Sequence, residues 1–234
     1  MDPTDLRAGL AERLAGDEAI DAEMFNTGAL TMGFWQNKNG QGIIKNFSGT
    51  NCQALATWLG QFHPFSNVTA QATCGSSPSL GAPSGTGVVG YVYNIIKAAT
   101  CGGATCNLML RAQMLATALD VYFSDPALGG NRIGAPAGHP IGDVVIDLTK
   151  ICAMIDGSGG STCSGTYENV SSAFGDATTT TMTVMNMLLY QNTSDPAADS
   201  GTVWYGQVKA TQVLAKNAFD SINNQVAVSL KPSG

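Results

Sequence analysis

The chain has 234 residues, of which 44% are hydrophobic and only 12% charged, about half the roughly 25% charged content of an average globular protein. With a net charge of −6, that composition excludes a disordered polyelectrolyte, a long exposed coiled coil and a basic nucleic-acid binder. No apolar run reaches the roughly 18–20 residues of a membrane span, so neither a nucleic-acid partner nor membrane insertion is expected. The charge is unevenly placed: the first 25 residues hold seven acids and two bases, the remaining 209 ten acids and nine bases. Residues 1–25 therefore read as an acidic helical lead segment or linker, and 26–234 as a single globular domain with a nearly neutral, Ser/Thr/Asn-rich surface.

In chain order, residues 4–15 read as a short amphipathic helix, with Thr4 as cap and Leu6, Leu10 and Leu14 on one face. Residues 26–50 carry Gly28, Gly33, Gly40, Gly42 and Gly49 and lack a helical period. They read as loop with short extended pieces at Thr31–Trp35 and Ile43–Phe47. Asn51 caps a predicted helix reaching Phe62, with Leu55, Trp58, Leu59 and Phe62 facing inward. Residues 63–86 are rich in Pro, Ser and Gly and read as irregular. Val88–Ala99 and Thr105–Phe123 form a predicted helical hairpin. Its second helix is apolar around most of its circumference, with Arg111 the only charge before Asp120, the mark of a central buried helix. Residues 129–140 are turn-rich. Ile141–Ile155 fits a helical period, although Val144-Val145-Ile146 leaves a strand open. A Gly/Ser loop over 156–166 follows, and helices are predicted over 178–191 and 202–224. The fold class is mainly α, a disulfide-stapled helical domain with a minor extended element, with α+β as the alternative.

Six cysteines, at 52, 74, 101, 106, 152 and 163, fall into three sequence-adjacent pairs around Gly- and Ser-rich loops. None has Cys-x-x-Cys spacing, and neither His63 nor His139 stands at metal-ligand distance from a Cys in sequence. Neither a metal nor another cofactor is expected. Six cysteines allow 15 pairings; the adjacent one joins Cys52–Cys74, Cys101–Cys106 and Cys152–Cys163. Such bridges stabilise by about 2–3.5 kcal/mol each on a chain-entropy estimate, and they persist in oxidising compartments.

The chemical motifs are sparse. Gly85-Thr-Gly-Val-Val-Gly90 matches Gly-x-Gly-x-x-Gly, but it follows Pro/Ser-rich coil and lacks the acidic residue a dinucleotide site places about 20 residues on. It reads as a flexible helix entry. His63 and His139 each precede a proline, at element boundaries. Asp143 and Asp147 would share one face of the predicted helix and read as solvated; Asp195 and Asp199 flank a loop. Asn46, Asn67, Asn169 and Asn192 begin Asn-x-Ser/Thr triplets. The most distinctive stretch is Thr31-Met-Gly-Phe-Trp-Gln-Asn-Lys-Asn-Gly-Gln41. Its Phe34–Trp35 pair in a Gly/Asn loop suits stacking on a sugar or peptide, with Asn37 and Asn39 as hydrogen-bonding partners; the alternative is a plug buried in the core. Phe34, Trp35, Asn37 and Asn39 are the candidate ligand-binding residues, and none is a candidate catalytic one.

Gly33-Phe-Trp-Gln-Asn37 resembles the Gly-Phe/Tyr-Trp-Lys-Asn motif that opens a module of bacterial secreted and cell-surface proteins. Ala112-Gln-Met-Leu-Ala-Thr-Ala-Leu-Asp-Val121 and Ala218-Phe-Asp-Ser-Ile-Asn-Asn224 are similar to two further stretches of it, so the resemblance spans residues 30–225. Gln36 stands where the motif often has Lys. The resemblance implies location and architecture rather than chemistry. The resulting expectation is an extracellular, non-enzymatic surface module for adhesion, recognition or assembly, with an extracellular protein, a glycan surface or a second copy of itself as partner. The alternative is a secreted hydrolase acting on polymer or glycan.

Overall fold

The structure, a computed structural model, describes residues 28–47, 51–70, 73–134, 139–157, 160–190 and 204–230. The predicted helix over 4–15, together with Asn192, Asp195 and Asp199, lies outside these. The described helices are α1 (Met32–Gln36), α2 (Lys38–Phe47), α3 (Gln53–Gly60), α4 (Gly87–Lys97), α5 (Asn107–Ser124), α6 (Val184–Leu189) and α7 (Lys209–Asn223). The strands are β1 (Val145–Asp147), β2 (Ile151–Gly157), β3 (Gly160–Glu168), β4 (Thr181–Thr183) and β5 (Ser229–Leu230). Short 3₁₀ turns include His63–Ala70 and Pro78–Leu80.

Helix α5 is the axis of the molecule. Every residue from Ala112 to Ser124 is buried, as a helix apolar on nearly all sides must be. It packs against α7, α4, α1 and α6. One contiguous apolar cluster runs from Ala29 to Ala227 around it. The α5–α7 contact is nonetheless crossed by amides. Gln212 accepts from the Cys106 amide at 2.6 Å and donates to Asn107 Oδ1 at 2.7 Å. One end along, Asn223 accepts from the Thr117 hydroxyl at 2.7 Å and donates to Gln113 Oε1 at 2.8 Å. Buried polar groups matched in this way set the register of two helices that greasy contact alone would leave free to slide.

The architecture is helix-dominated but not all-α. An antiparallel sheet of order β4–β1–β5 pairs Ile146 with Met182 on one side and Ser229 on the other. A separate β2–β3 hairpin packs on α7. These elements correct the predicted helix over Ile141–Ile155 and the loop over 156–166. The β-branched run Val144–Ile146 takes the extended alternative, which suits its stiff side chains. Asp143 is consequently exposed, whereas Asp147 is buried and accepts from the Thr149 amide and hydroxyl, so the two share no helix face. The predicted helix over 178–191 divides into β4 and α6, and α7 starts at Lys209 rather than 202.

A second correction concerns 26–50, which holds two helices instead of loop and extended pieces. Thr31 Oγ1 accepts from the Phe34 amide and caps α1. Asn37 Oδ1 accepts from the Asn39 amide at 2.8 Å and caps α2. Of the glycines, Gly40 is required by contact: a Cβ there would stand 2.4 Å from the Phe34 carbonyl oxygen. The glycine lets α2 fold back on α1 at a distance no other residue allows. The helices over Gln53–Gly60, Gly87–Lys97 and Asn107–Ser124 match their predicted positions to within about two residues.

All six cysteines are bridged, as Cys52–Cys74, Cys101–Cys106 and Cys152–Cys163. They tie α3 to the 3₁₀ region, close the α4–α5 turn and cross-link the β2–β3 hairpin. Among the described residues no helix is long and apolar enough to cross a membrane.

Candidate functional site

The Phe34–Trp35 pair is a core plug. Trp35 is fully buried, its ring stacked on Phe123 at 5.4 Å. Its indole N–H donates to Asp120 Oδ1 at 3.0 Å. Phe34 is half-buried and meets Trp35 edge-on. The predicted stacking role for Trp35 is therefore corrected, because neither face of a buried ring can receive a ligand. Asn37 is exposed, but its side chain is engaged in capping α2. Asn39 lines a cleft along α2.

Asp120 joins this stretch to α5. Its Oδ1 accepts from both the Trp35 indole and the Leu30 amide, each at 3.0 Å, and it is fully buried. Burial pushes its carboxyl well above the ordinary carboxylate range, the two donors only partly opposing it. The folded protein thus holds Asp120 protonated at pH values where the unfolded chain has released the proton. With the folded value raised, this carboxyl favours folding least at high pH: its contribution is full below about pH 4 and is lost as pH rises toward the folded value. Asp120→Asn keeps an acceptor for both donors and cannot ionise. Its stability relative to the parent should increase over the range from about pH 4 upward. Urea midpoints measured across that range check this, and a difference that stays flat with pH would refute a protonated Asp120.

Two of the clefts on the described surface carry clusters of polar side chains. The first, of about 350 Å³, lies between α4, the start of α5 and the 3₁₀ turn, and is lined by Asn67, Gly85, Tyr91, Asn94, Leu108 and Arg111 among others. Its polar wall is a fixed chain. Arg111 Nε donates to the Pro64 carbonyl at 3.1 Å and Nη2 to the Tyr91 hydroxyl at 3.1 Å; that hydroxyl donates to Asn67 Oδ1 at 2.6 Å. Burial pushes the Tyr91 phenol up, with Arg111 opposing, so Tyr91 serves as a neutral hydrogen-bonding group. Leu108 is 41% exposed beside it. The second cleft, of about 460 Å³, runs along α2 and is lined by Lys38, Asn39, Gly42, Ile43, Asn46 and Arg132.

The Gly85–Gly90 motif borders the first cleft without forming a phosphate cradle. The α4 amides of Val88 and Val89 donate to the Thr73 and Cys74 carbonyls at 3.0 and 2.9 Å, so the donors an anion would need are already used. Gly87, at φ +62°, sits where a Cβ would meet the Thr73 carbonyl oxygen at 2.5 Å. The glycines serve a close backbone crossing. His63 is half-buried and His139 exposed, and neither lines either cleft. Among the described residues no group of three or more His, Cys, Asp or Glu is placed to hold a metal ion.

Sequence reasoning did not select Asn67, Tyr91, Asn94, Leu108 or Arg111 as a site. The visible signal was Arg111, a lone cation on the first turns of an otherwise apolar helix. Comparison of the chain with protein-family profiles, curated proteins and solved structures finds no match.

Proposed function

We propose that the protein is an extracellular, non-catalytic recognition module that docks an extracellular protein or glycan surface in the Tyr91–Arg111 cleft. The observation that carries the reading is the pre-set Arg111–Tyr91–Asn67 chain beside the exposed Leu108: oriented polar groups next to an apolar contact are what a recognition site needs. The two titratable groups lining this cleft are Tyr91, neutral, and Arg111, a permanent cation. They orient a partner rather than exchange protons with it. Three disulfides favour an oxidising, extracellular setting, in keeping with the resemblance to secreted and surface modules. Rigid, bridged elements also reduce the ordering cost of binding.

The test is retention on a panel of immobilised polysaccharides and extracellular matrix proteins. Leu108→Asp places a charge in the cleft at an exposed position. It should weaken retention at least about tenfold, because it replaces the cleft's apolar contact by a hydrated carboxylate that a partner must desolvate, while leaving the thermal midpoint unchanged. Equal retention of variant and parent would remove this cleft from the function. Release of new reducing ends or peptide termini from the panel would instead establish the hydrolase alternative.

A further inference from the structure

Arg111 stands in its cleft as a fixed cation with bonding capacity to spare. A guanidinium carries five N–H donors. Nε is committed to the Pro64 carbonyl and one Nη2 hydrogen to the Tyr91 hydroxyl, each at 3.1 Å. The two hydrogens on Nη1 and the second on Nη2 meet no acceptor among the described residues. The guanidinium carbon also lies 5.9 Å from the centre of the Tyr91 ring. Ring, phenol and carbonyl together hold the planar fork in one orientation. Leu108, exposed, is three residues earlier on α5 and so a neighbour on the same helix face. Ile95 and Ala98, from the last turn and cap of α4, continue that apolar wall along the cleft.

We propose, resting on the recognition reading of this cleft, that its occupant is the free C-terminus of a protein partner, with the terminal carboxylate on Arg111 and an apolar last side chain on Leu108, Ile95 and Ala98. Nη1 and Nη2 each retain an N–H, the pair that a carboxylate bridges with two charge-assisted hydrogen bonds. A terminal residue carries its carboxylate and its side chain on one carbon, which suits a cation and an apolar contact one helical turn apart. Asn94 offers a donor and an acceptor to the preceding peptide group. Gly85 leaves room for that amide, since a Cβ there would stand 3.1 Å from Asn94 Nδ2. At about 350 Å³ the cleft is at the small end of ligand pockets, which run from about 300 to about 1,000 Å³. That size takes a chain end and not a chain passing through. A sugar carboxylate would also satisfy Arg111, but its ring hydroxyls would lie unpaired against the Leu108–Ile95–Ala98 wall, and burying them there opposes binding.

The probe is acetyl-Ala-Ala-Leu with a free carboxylate, titrated into the full chain and followed by NMR. The same peptide as its C-terminal amide, acetyl-Ala-Ala-Ser as the free acid, and glucuronate are the controls. The Leu acid should bind, and its amide should bind at least about tenfold more weakly. The Ser acid should lose about tenfold as well, for want of the apolar contact. Affinity for the Leu acid should fall between about 0.01 and about 0.15 M salt, as the screening length shortens from about 30 to about 8 Å. Arg111→Lys keeps the charge and loses the fork, and Leu108→Asp sets a like charge beside the carboxylate from an exposed position. Each should weaken the Leu acid about tenfold or more, the second without lowering the thermal midpoint. Absence of binding in the millimolar range, equal affinity for acid and amide, tighter binding of glucuronate, or indifference to both Arg111→Lys and Leu108→Asp would each overturn the proposal. Retention on the immobilised panel that needs Leu108, combined with no binding of the Leu acid, would sink the C-terminus as occupant while leaving the cleft a recognition site.

Discussion

Trp35→Ala should lower the free energy of unfolding by about 3–5 kcal/mol, the cost of a large-to-small change in a close-packed core. The ring is fully buried, and its loss removes both the stacked partner of Phe123 and one of the two donors to Asp120. A stability of ~5–15 kcal/mol is usual for a domain, so the variant should unfold at a markedly lower denaturant concentration. Trp35→Phe separates the contributions. It keeps most of the apolar volume and loses the indole N–H, so its cost should lie well below that of Ala. A Trp35→Ala loss under about 0.5 kcal/mol, the ordinary range for surface changes, would show that the ring is not the anchor of α1.

The second large effect is expected at Lys216. Its ammonium lies 3.1 Å from Asp220 Oδ2, and both side chains are almost completely removed from solvent. It also donates to Asn217 Oδ1, and Asn217 donates in turn to Glu168 on β3. Asn224 donates to Asp220 Oδ1 at 2.7 Å. Lys216→Met removes the ammonium that faces the buried Asp220 carboxylate, which should cost about 3–5 kcal/mol. The double variant Lys216→Met/Asp220→Leu removes both charges and should recover most of the loss, because an apolar pair of similar volume is often as stable as a buried ion pair. Equilibrium unfolding of the two variants reads this out. A double variant as unstable as the single one would mean that the pair stabilises through its wider hydrogen-bond chain and not through charge compensation.

Much of the helical frame was legible from local pattern. The α5 segment was visible because its apolar residues leave no polar face, and a helix of that kind has only one place to go. The α4–α5 hairpin followed from its Gly/Cys turn, and α3 from its apolar face. The adjacent cysteine pairing matched because short Gly-rich loops bring neighbours together before distant partners compete. The errors fall where short-range signals conflict. In 26–50 the glycines read as breakers, but Gly40 serves a close helix–helix approach, which is defined only once α1 and α2 have met. In Ile141–Ile155 a helical period coincided with a β-branched run, and pairing with β4 and β5, from residues some 35 and 85 positions further on, decided for strand.

The candidate site divides in the same way. The conspicuous Phe34-Trp35-Gln-Asn37 stretch stands out in the sequence, but conspicuousness does not distinguish an anchor from a ligand platform. Burial against Phe123 and the hydrogen bond to Asp120, 85 positions away, made it an anchor. The two clefts left almost no local trace. Each is assembled from segments distant in sequence, Asn67 with Tyr91 and Arg111 in one and Lys38 with Arg132 in the other. By itself the sequence determined composition, charge distribution, cysteine spacing and the central helix, because these depend on residue type and near-neighbour period. The tertiary structure alone decided which aromatics were inward, which glycines were contacts and which polar side chains met at a surface, because these depend on distances between residues whose separation along the chain carries no information about their separation in space.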